Sequence, residues 1–241
     1  MTHLLVYSLF VTNKHERLPE LIAAAVRVFT QQGYRAARMS AVAAEMGVTE
    51  AALYRYVDGK EALFVLAIRH ALLLEDLPAG ELPLSAPPLS ETVREVREFI
   101  AEVVPFGILA AALSGTGPGA DGAAAELEKI LRELYELESR TREAANMLER
   151  SARELPELAD LLNTGFYQPV LTALTSYLSV RAAAGLLRPT PAPAATARLV
   201  LETLTWFARH RFSDPYGAVI SDQLAEETAV DALVHALVIA S

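Results

Sequence analysis

The feature that most constrains the fold is a series of short apolar stripes, each closed by a glycine, near the start of the chain. Leu18, Leu21, Ile22, Ala25 and Phe29 recur at i, i+3, i+4, i+7 and i+11 and stop at Gly33. That spacing lines one face of a helix and ends it at a residue able to turn the chain away. Met39, Val42, Ala43 and Met46 repeat the spacing for barely two turns before Gly47. Thr49 then stands where an N-cap is expected, and a further short helix is predicted through Val57. Two short helices joined through a glycine have the layout of a helix-turn-helix. Asp58 is read as the cap of a fourth helix that turns Leu63, Leu66, Ala67, His70 and Leu74 inward, with His70 a core residue rather than a metal ligand.

Residues 77–90 hold Pro78, Gly80, Pro83, Pro87 and Pro88, too many breakers for a helix, so they read as a linker. Beyond it Ser90 is expected to cap a helix reaching about Leu113, kinked at Pro105. Residues 114–122 read as a loop. Their glycines resemble a nucleotide-binding pattern only superficially, because no strand precedes them. Glu126 to Ala152 reads as one solvated helix with a buried face at Ile130, Leu134, Leu137, Thr141, Ala144 and Leu148. Asn163 to Ala184 reads as another, stopped by Gly185 and Pro189. The last two helices are expected over Ala194–Phe212 and Asp222–Ile239. Both are apolar around much of their circumference, which requires burial on more than one side and points to a second subunit at the end of the chain.

The expected fold is therefore all-α. An N-terminal three-helix helix-turn-helix head (15–76) follows an extension (1–14) and precedes the linker (77–90) and a larger helical ligand-binding and dimerisation domain (91–241). Ala, Leu, Glu and Arg fill the stretches between the breakers and favour helix over strand. With 52% apolar residues, the chain can bury a substantial core.

Composition excludes several functions. There is no cysteine, so disulfides and thiolate chemistry are out of reach. The run Leu4–Val11 is too short to span a bilayer and lacks the basic start of a signal peptide, so a cytoplasmic protein without membrane association is expected. No HExxH, P-loop or GxSxG motif occurs and the five histidines are scattered, so neither an enzyme nor a cofactor or metal site is expected. The net charge of −9 argues against indiscriminate nucleic-acid binding, which needs basic surface. Its distribution matters more. Residues 1–70 carry eight Lys or Arg against six Asp or Glu, a net of +2 that leaves −11 on the remainder, as suits a DNA-facing head on a body that DNA repels.

Gly33-Tyr34 after Phe29, Val42-Ala43, Gly47-Val48-Thr49, Leu53-Tyr54 with Tyr56, and Lys60-Glu61 with Leu63 together resemble the DNA-binding head of the tetracycline-repressor (TetR) family of bacterial regulators. The motif covers roughly residues 16–75. Beyond it only the order and lengths of the helices match. The N-terminal residues of a recognition helix meet base edges, which places Thr49, Glu50, Ala51 and Ala52 there. Glu50 can accept from a cytosine amino group, and the alanine methyls can touch thymine methyls. The resemblance implies phosphate contacts for Tyr54, Tyr56 and Lys60, and Arg55 is the strongest cation on that helix. The chain departs from the family pattern at Ala37-Arg38, where a hydroxyl pair usually opens the second helix. Arg38 is read as replacing the phosphate contact and Ser40 as capping one turn late.

The resemblance also implies a homodimer on an inverted-repeat operator in double-stranded DNA, paired through the last two helices. It further implies a body enclosing a mostly apolar effector cavity, and repression as the direction of control. A two-fold dimer must hold its recognition helices about 34 Å apart, so a small splay loses the operator. Pocket candidates are Phe99, Val103, Phe106, Leu134, Thr141, Met147, Phe166, Tyr177 and Trp206. Thr141 and Tyr177 stand out, because a buried hydroxyl must find a partner and a ligand is one. The alternative reading is a helical small-molecule or partner-binding protein with a DNA-inactive head.

Overall fold

The computed structural model describes residues 17–72, 80–103, 107–115, 118–119, 122–215 and 217–239. The extension, Leu74, Pro78, Pro105 and Phe106 lie outside the described residues, as does the side chain of Val103. The described residues are all-helical. Helix α1 spans Leu18–Gln32, α2 Met39–Glu45, α3 Glu50–Leu53 and α4 Gly59–Leu72. Then come α5 Leu89–Val103, α6 Gly107–Ser114, α7 Ala123–Arg140, α8 Arg142–Ala152 and α9 Pro156–Asp160. A π-helical turn, Leu161–Tyr167, leads into α10 Gln168–Ala183, α11 Pro193–Ala208 and α12 Asp222–Leu237.

The chain forms two compact units. One holds the described residues up to Phe99 together with Glu143–Leu162, and the other holds Ile100–Arg142 and Asn163 onward. The first therefore takes in more chain than the head expected over 15–76: the start of α5 and all of α8 and α9 belong to it. The stretch read as a linker is also partly tied down. Leu84 is buried, its N–H donates to the carbonyl of Tyr56 at 2.7 Å and its carbonyl accepts from Asp58 at 2.9 Å.

In this first unit α1 buries Leu18, Leu21, Ile22, Ala25 and Phe29, the stripe read from sequence. Gly33 ends the helix with φ +80, a conformation that L side chains rarely adopt. Helix α4 is buried over seven consecutive residues, Ala62 to Ile68, because it runs through the middle of the unit and has core on every side. Phe29 and Phe64 pack edge to face at 4.9 Å, and Tyr34 lies 4.8 Å from Phe64.

The second unit has a core of α6, α7, α10, α11 and α12, with Ile130, Leu131, Leu174, Leu201 and Leu204 fully buried at its centre. Buried charge is threaded through it. Arg181 meets both oxygens of Glu126 at 2.8 and 2.9 Å and donates to the carbonyl of Ala112. Arg209 pairs with Glu138 at 2.9 Å.

Several helices are shorter than their patterns predict. The single helix expected over Glu126–Ala152 breaks at Thr141, whose hydroxyl donates to the carbonyl of Leu137 at 2.8 Å, a local bond that competes with helix continuation. The helix expected from Asn163 begins in the π-helical turn, and the one expected to reach Phe212 tightens into a 3-10 turn at His210–Phe212.

Candidate nucleic-acid interface

Helices α2 and α3 pack against one another across a turn centred on Gly47, whose φ is +65. A Cβ there would touch nothing, so the glycine is required by backbone conformation and not by crowding. Leu53 is completely buried and Tyr56 nearly so. The motif is thus anchored from its far end, and the opposite face of α3 is left to solvent. Thr49, Glu50 and Ala51 are exposed and Ala52 is half-buried.

Thr49 occupies the N-cap of α3 with extended backbone, and its hydroxyl makes no capping bond. The expected helix through Val57 is only Glu50–Leu53. Beyond it the chain tightens, with Tyr56 and Val57 both bonding back to the Leu53 carbonyl at 2.8 and 3.2 Å. Tyr54 and Arg55, in this turn, are exposed. The buried ring of Tyr56 belongs to the packing face and stands apart from the exposed candidates.

The loop from Gly33 to Arg38 is held from several sides. Lys60 directs its ammonium at three carbonyls, those of Tyr34 at 2.9 Å, Ala37 at 3.2 Å and Arg35 at 3.3 Å, and lies 4.7 Å from the centre of the Tyr34 ring. An ammonium has three donors, and all three are engaged. The residue expected on a phosphate is, in this structure, a pin for the loop. Burial, with Glu61 adding to it, pushes the Tyr34 phenol pKa up, so that ring stays neutral beside the cation. Ala37 is buried, which explains a small residue at that departure from the family pattern. Arg38 is the N-cap residue of α2, with no side-chain cap, and Ser40 is exposed in the first turn without making the late cap expected of it.

Carboxylates hold some cations of the helix-turn-helix region and not others. Arg17 pairs with Glu20, Arg27 with Glu45 and Arg69 with Glu95. Arg35, Arg38 and Arg55 are exposed and have no carboxylate partner among the described residues. They lie before α2, at its start and just after α3. Sequence reading passed over Arg35 as a site residue, although its position three residues before Arg38 was a usable signal.

The pocket candidates do not gather in the same way. Phe99 and Met147 belong to the first unit, while Leu134, Thr141, Phe166, Tyr177 and Trp206 belong to the second. Leu134 and Tyr177 are core and Phe166 packs on that core, whereas Trp206 is 37% exposed. The two hydroxyls that were to find a ligand have protein partners: Thr141 bonds Leu137, and Tyr177 donates to Glu126 at 3.1 Å. The second unit does hold a cleft of about 560 Å³, between α7 and α12. Glu128, Arg132, Glu227, Val230, Asp231 and Val234 are among its lining residues, and none of the seven candidates with described side chains is.

A short helix anchored by its buried end, with exposed arginines before α2, at its start and after α3 that have no carboxylate partner among the described residues, is built as a helix-turn-helix DNA-binding head. Residues 21–67 match the model described as bacterial regulatory proteins, tetR family. The match covers the head alone and marks it as a DNA-binding head of the TetR kind. A search of curated proteins finds no match. Among solved structures it is similar to AibR in complex with isovaleryl coenzyme A and operator DNA, 19% identical over 90% of this chain and 98% of that one, with a TM-score of 0.52. It is also similar to SmeT, the repressor of the Stenotrophomonas maltophilia multidrug efflux pump SmeDEF, at 16% identity, 91% and 89% coverage and a TM-score of 0.47. FadR from Bacillus subtilis in complex with stearoyl-CoA matches at 15% identity, 90% and 97% coverage and a TM-score of 0.45. The likeness to AibR fixes the fold across nearly the whole chain.

Proposed function

We propose that the chain is a one-component cytoplasmic repressor: a homodimer whose two heads grip an inverted-repeat operator and let go when a small, largely apolar molecule binds the body. The observation that carries the DNA side is the set of exposed arginines in the helix-turn-helix region, Arg35, Arg38 and Arg55, that have no carboxylate partner among the described residues. Phosphate contacts supply most of the affinity for DNA and are made by such cations. Thr49, Glu50, Ala51 and Ala52 read base edges from the start of α3, and Tyr54 reaches a phosphate beside them.

Dimerisation runs through α11 and α12. Leu199, Trp206 and Leu224 on these helices, and Ile239 just beyond, are exposed large apolar side chains, and such surface is best explained by a partner that covers it. Among the pocket candidates Leu134, Phe166 and Tyr177 come together around the apolar core of the second unit, which is the part of the body suited to an apolar effector. The effector releases DNA only if it binds the splayed dimer more tightly than the gripping one.

The test is selection of duplexes from a random DNA library, with an Arg38→Ala, Tyr54→Ala, Arg55→Ala triple variant as control. Enrichment of an inverted repeat by the wild type alone supports the regulator. A folded dimer that enriches nothing at low salt overturns it in favour of a binding protein with a silent head. Sedimentation at micromolar concentration tests the dimer, and a monomer there rules out the α11 and α12 interface.

A further inference from the structure

Sequence-remote chain reaches into the loop that carries Arg35 and Arg38. Glu154 lies on the turn that ends α8, a turn closed by bonds from the Glu154 and Leu155 N–H groups to the carbonyl of Ser151 at 3.0 Å. Its Oε2 accepts from the backbone N–H of Arg35 at 2.7 Å, a charge-assisted bond of the stronger kind. Its carboxylate also lies directly over Gly33, where a Cβ would come within 3.1 Å of Oε2 and 3.2 Å of Oε1. Beside it Arg150 donates to the carbonyl of Gln31, in the last turn of α1, at 3.4 Å. The loop is thus clamped twice: Lys60 holds its carbonyls and Glu154 holds its N–H.

We infer that Glu154 is a positioning residue for DNA binding: its carboxylate fixes the loop that presents Arg35 and Arg38 to phosphates, without touching DNA itself. The inference rests on the reading of the head as the DNA-binding face. It reverses the simple expectation for an acidic residue close to such a face. By charge alone Glu154 repels DNA and its removal tightens binding. As a clamp it holds two cations in register, and its removal weakens binding.

Glu154→Ala and Glu154→Gln separate the two roles, because the amide keeps an acceptor oxygen and loses the charge. Each full-length variant is measured against wild type in two ways: hydrogen exchange at the Arg35 amide without DNA, and affinity for the inverted repeat recovered by wild-type selection. The expected result for Glu154→Ala is faster exchange at Arg35 and affinity about tenfold lower, the scale of one lost hydrogen bond to a charged group. Glu154→Gln is expected to stay within about threefold of wild type, since a neutral acceptor recovers part of that bond. Unchanged exchange at Arg35 overturns the clamp. Faster exchange with equal or tighter DNA binding by both variants overturns the positioning role and leaves charge alone. A wild type that selects no duplex overturns the DNA reading, and the inference falls with it, whereas the other outcomes leave that reading intact.

Discussion

The guanidinium of Arg209 lies 2.9 Å from the carboxylate of Glu138, and both side chains are 3% exposed. Thr205 adds a hydrogen bond to the other carboxylate oxygen at 3.2 Å. This joins the end of α11 to α7 inside the apolar core. Removing one partner leaves a buried charge unmatched, which costs about 3–5 kcal/mol, whereas replacing both with apolar residues is often neutral or better. Glu138→Leu and Arg209→Met alone are therefore expected to lower the urea midpoint sharply, and the double variant to recover most of the loss. Additive losses would show that the pair contributes no coupling.

Lys60 and the exposed arginines are expected to behave differently although all are cations of the head. Lys60→Met leaves three carbonyls short of a donor and should cost about 1–3 kcal/mol of stability, with little change in the salt dependence of DNA binding. Arg38→Ala and Arg55→Ala should leave stability nearly unchanged and each flatten the plot of log affinity against log salt by about one unit per phosphate lost. A flattened slope for Lys60→Met would place its ammonium on a phosphate in the complex.

Gly33→Ala introduces two conflicts at once. The backbone at φ +80 is strained for any L side chain, by about 1–3 kcal/mol, and the new methyl meets the Glu154 carboxylate. Thermal unfolding should show a loss in that range, part of which Glu154→Ala recovers in the double variant. A Gly33→Ala protein as stable as wild type would contradict the local geometry.

Burial, with Glu126 adding to it, pushes the pKa of the Tyr177 phenol far above its usual value of about 10. The folded state then holds that proton longer than the unfolded state does. The stability it contributes is complete below the unfolded pKa of about 10 and is lost as pH rises from there towards the folded pKa. Unfolding followed between pH 9 and 11.5 should steepen for wild type relative to Tyr177→Phe. Parallel curves would mean that Tyr177 ionises as freely folded as unfolded.

Much of the head was legible in sequence because its signals are local. The stripe from Leu18 to Phe29 and its stop at Gly33 need only helical periodicity and one glycine. The end of α3 was not legible: Tyr54 to Val57 continue a helical pattern, but the chain must leave the helix for Tyr56 and Asp58 to bond with Leu84. The break at Thr141 escaped because the apolar stripe runs through it and the hydroxyl's bond to the Leu137 carbonyl leaves no mark on the periodicity. The pocket candidates were the least legible, because an inward aromatic in a core and one in a cavity have the same periodicity.

The amino-acid order by itself determined the helical class, the helix-turn-helix and the resemblance of the head to the TetR family, because periodicity, glycine placement and short spacings act over a few residues. Which cations of the head are tied up within the protein was decided only by the tertiary structure. Lys60 is engaged by the carbonyls of a loop some two dozen residues before it, while the guanidinium groups of Arg35 and Arg38 on that loop have no carboxylate partner among the described residues. The loop itself is held by Glu154, 119 residues from Arg35. Hydrogen bonds and ion pairs depend on distance in space, and no local pattern in the chain records that distance.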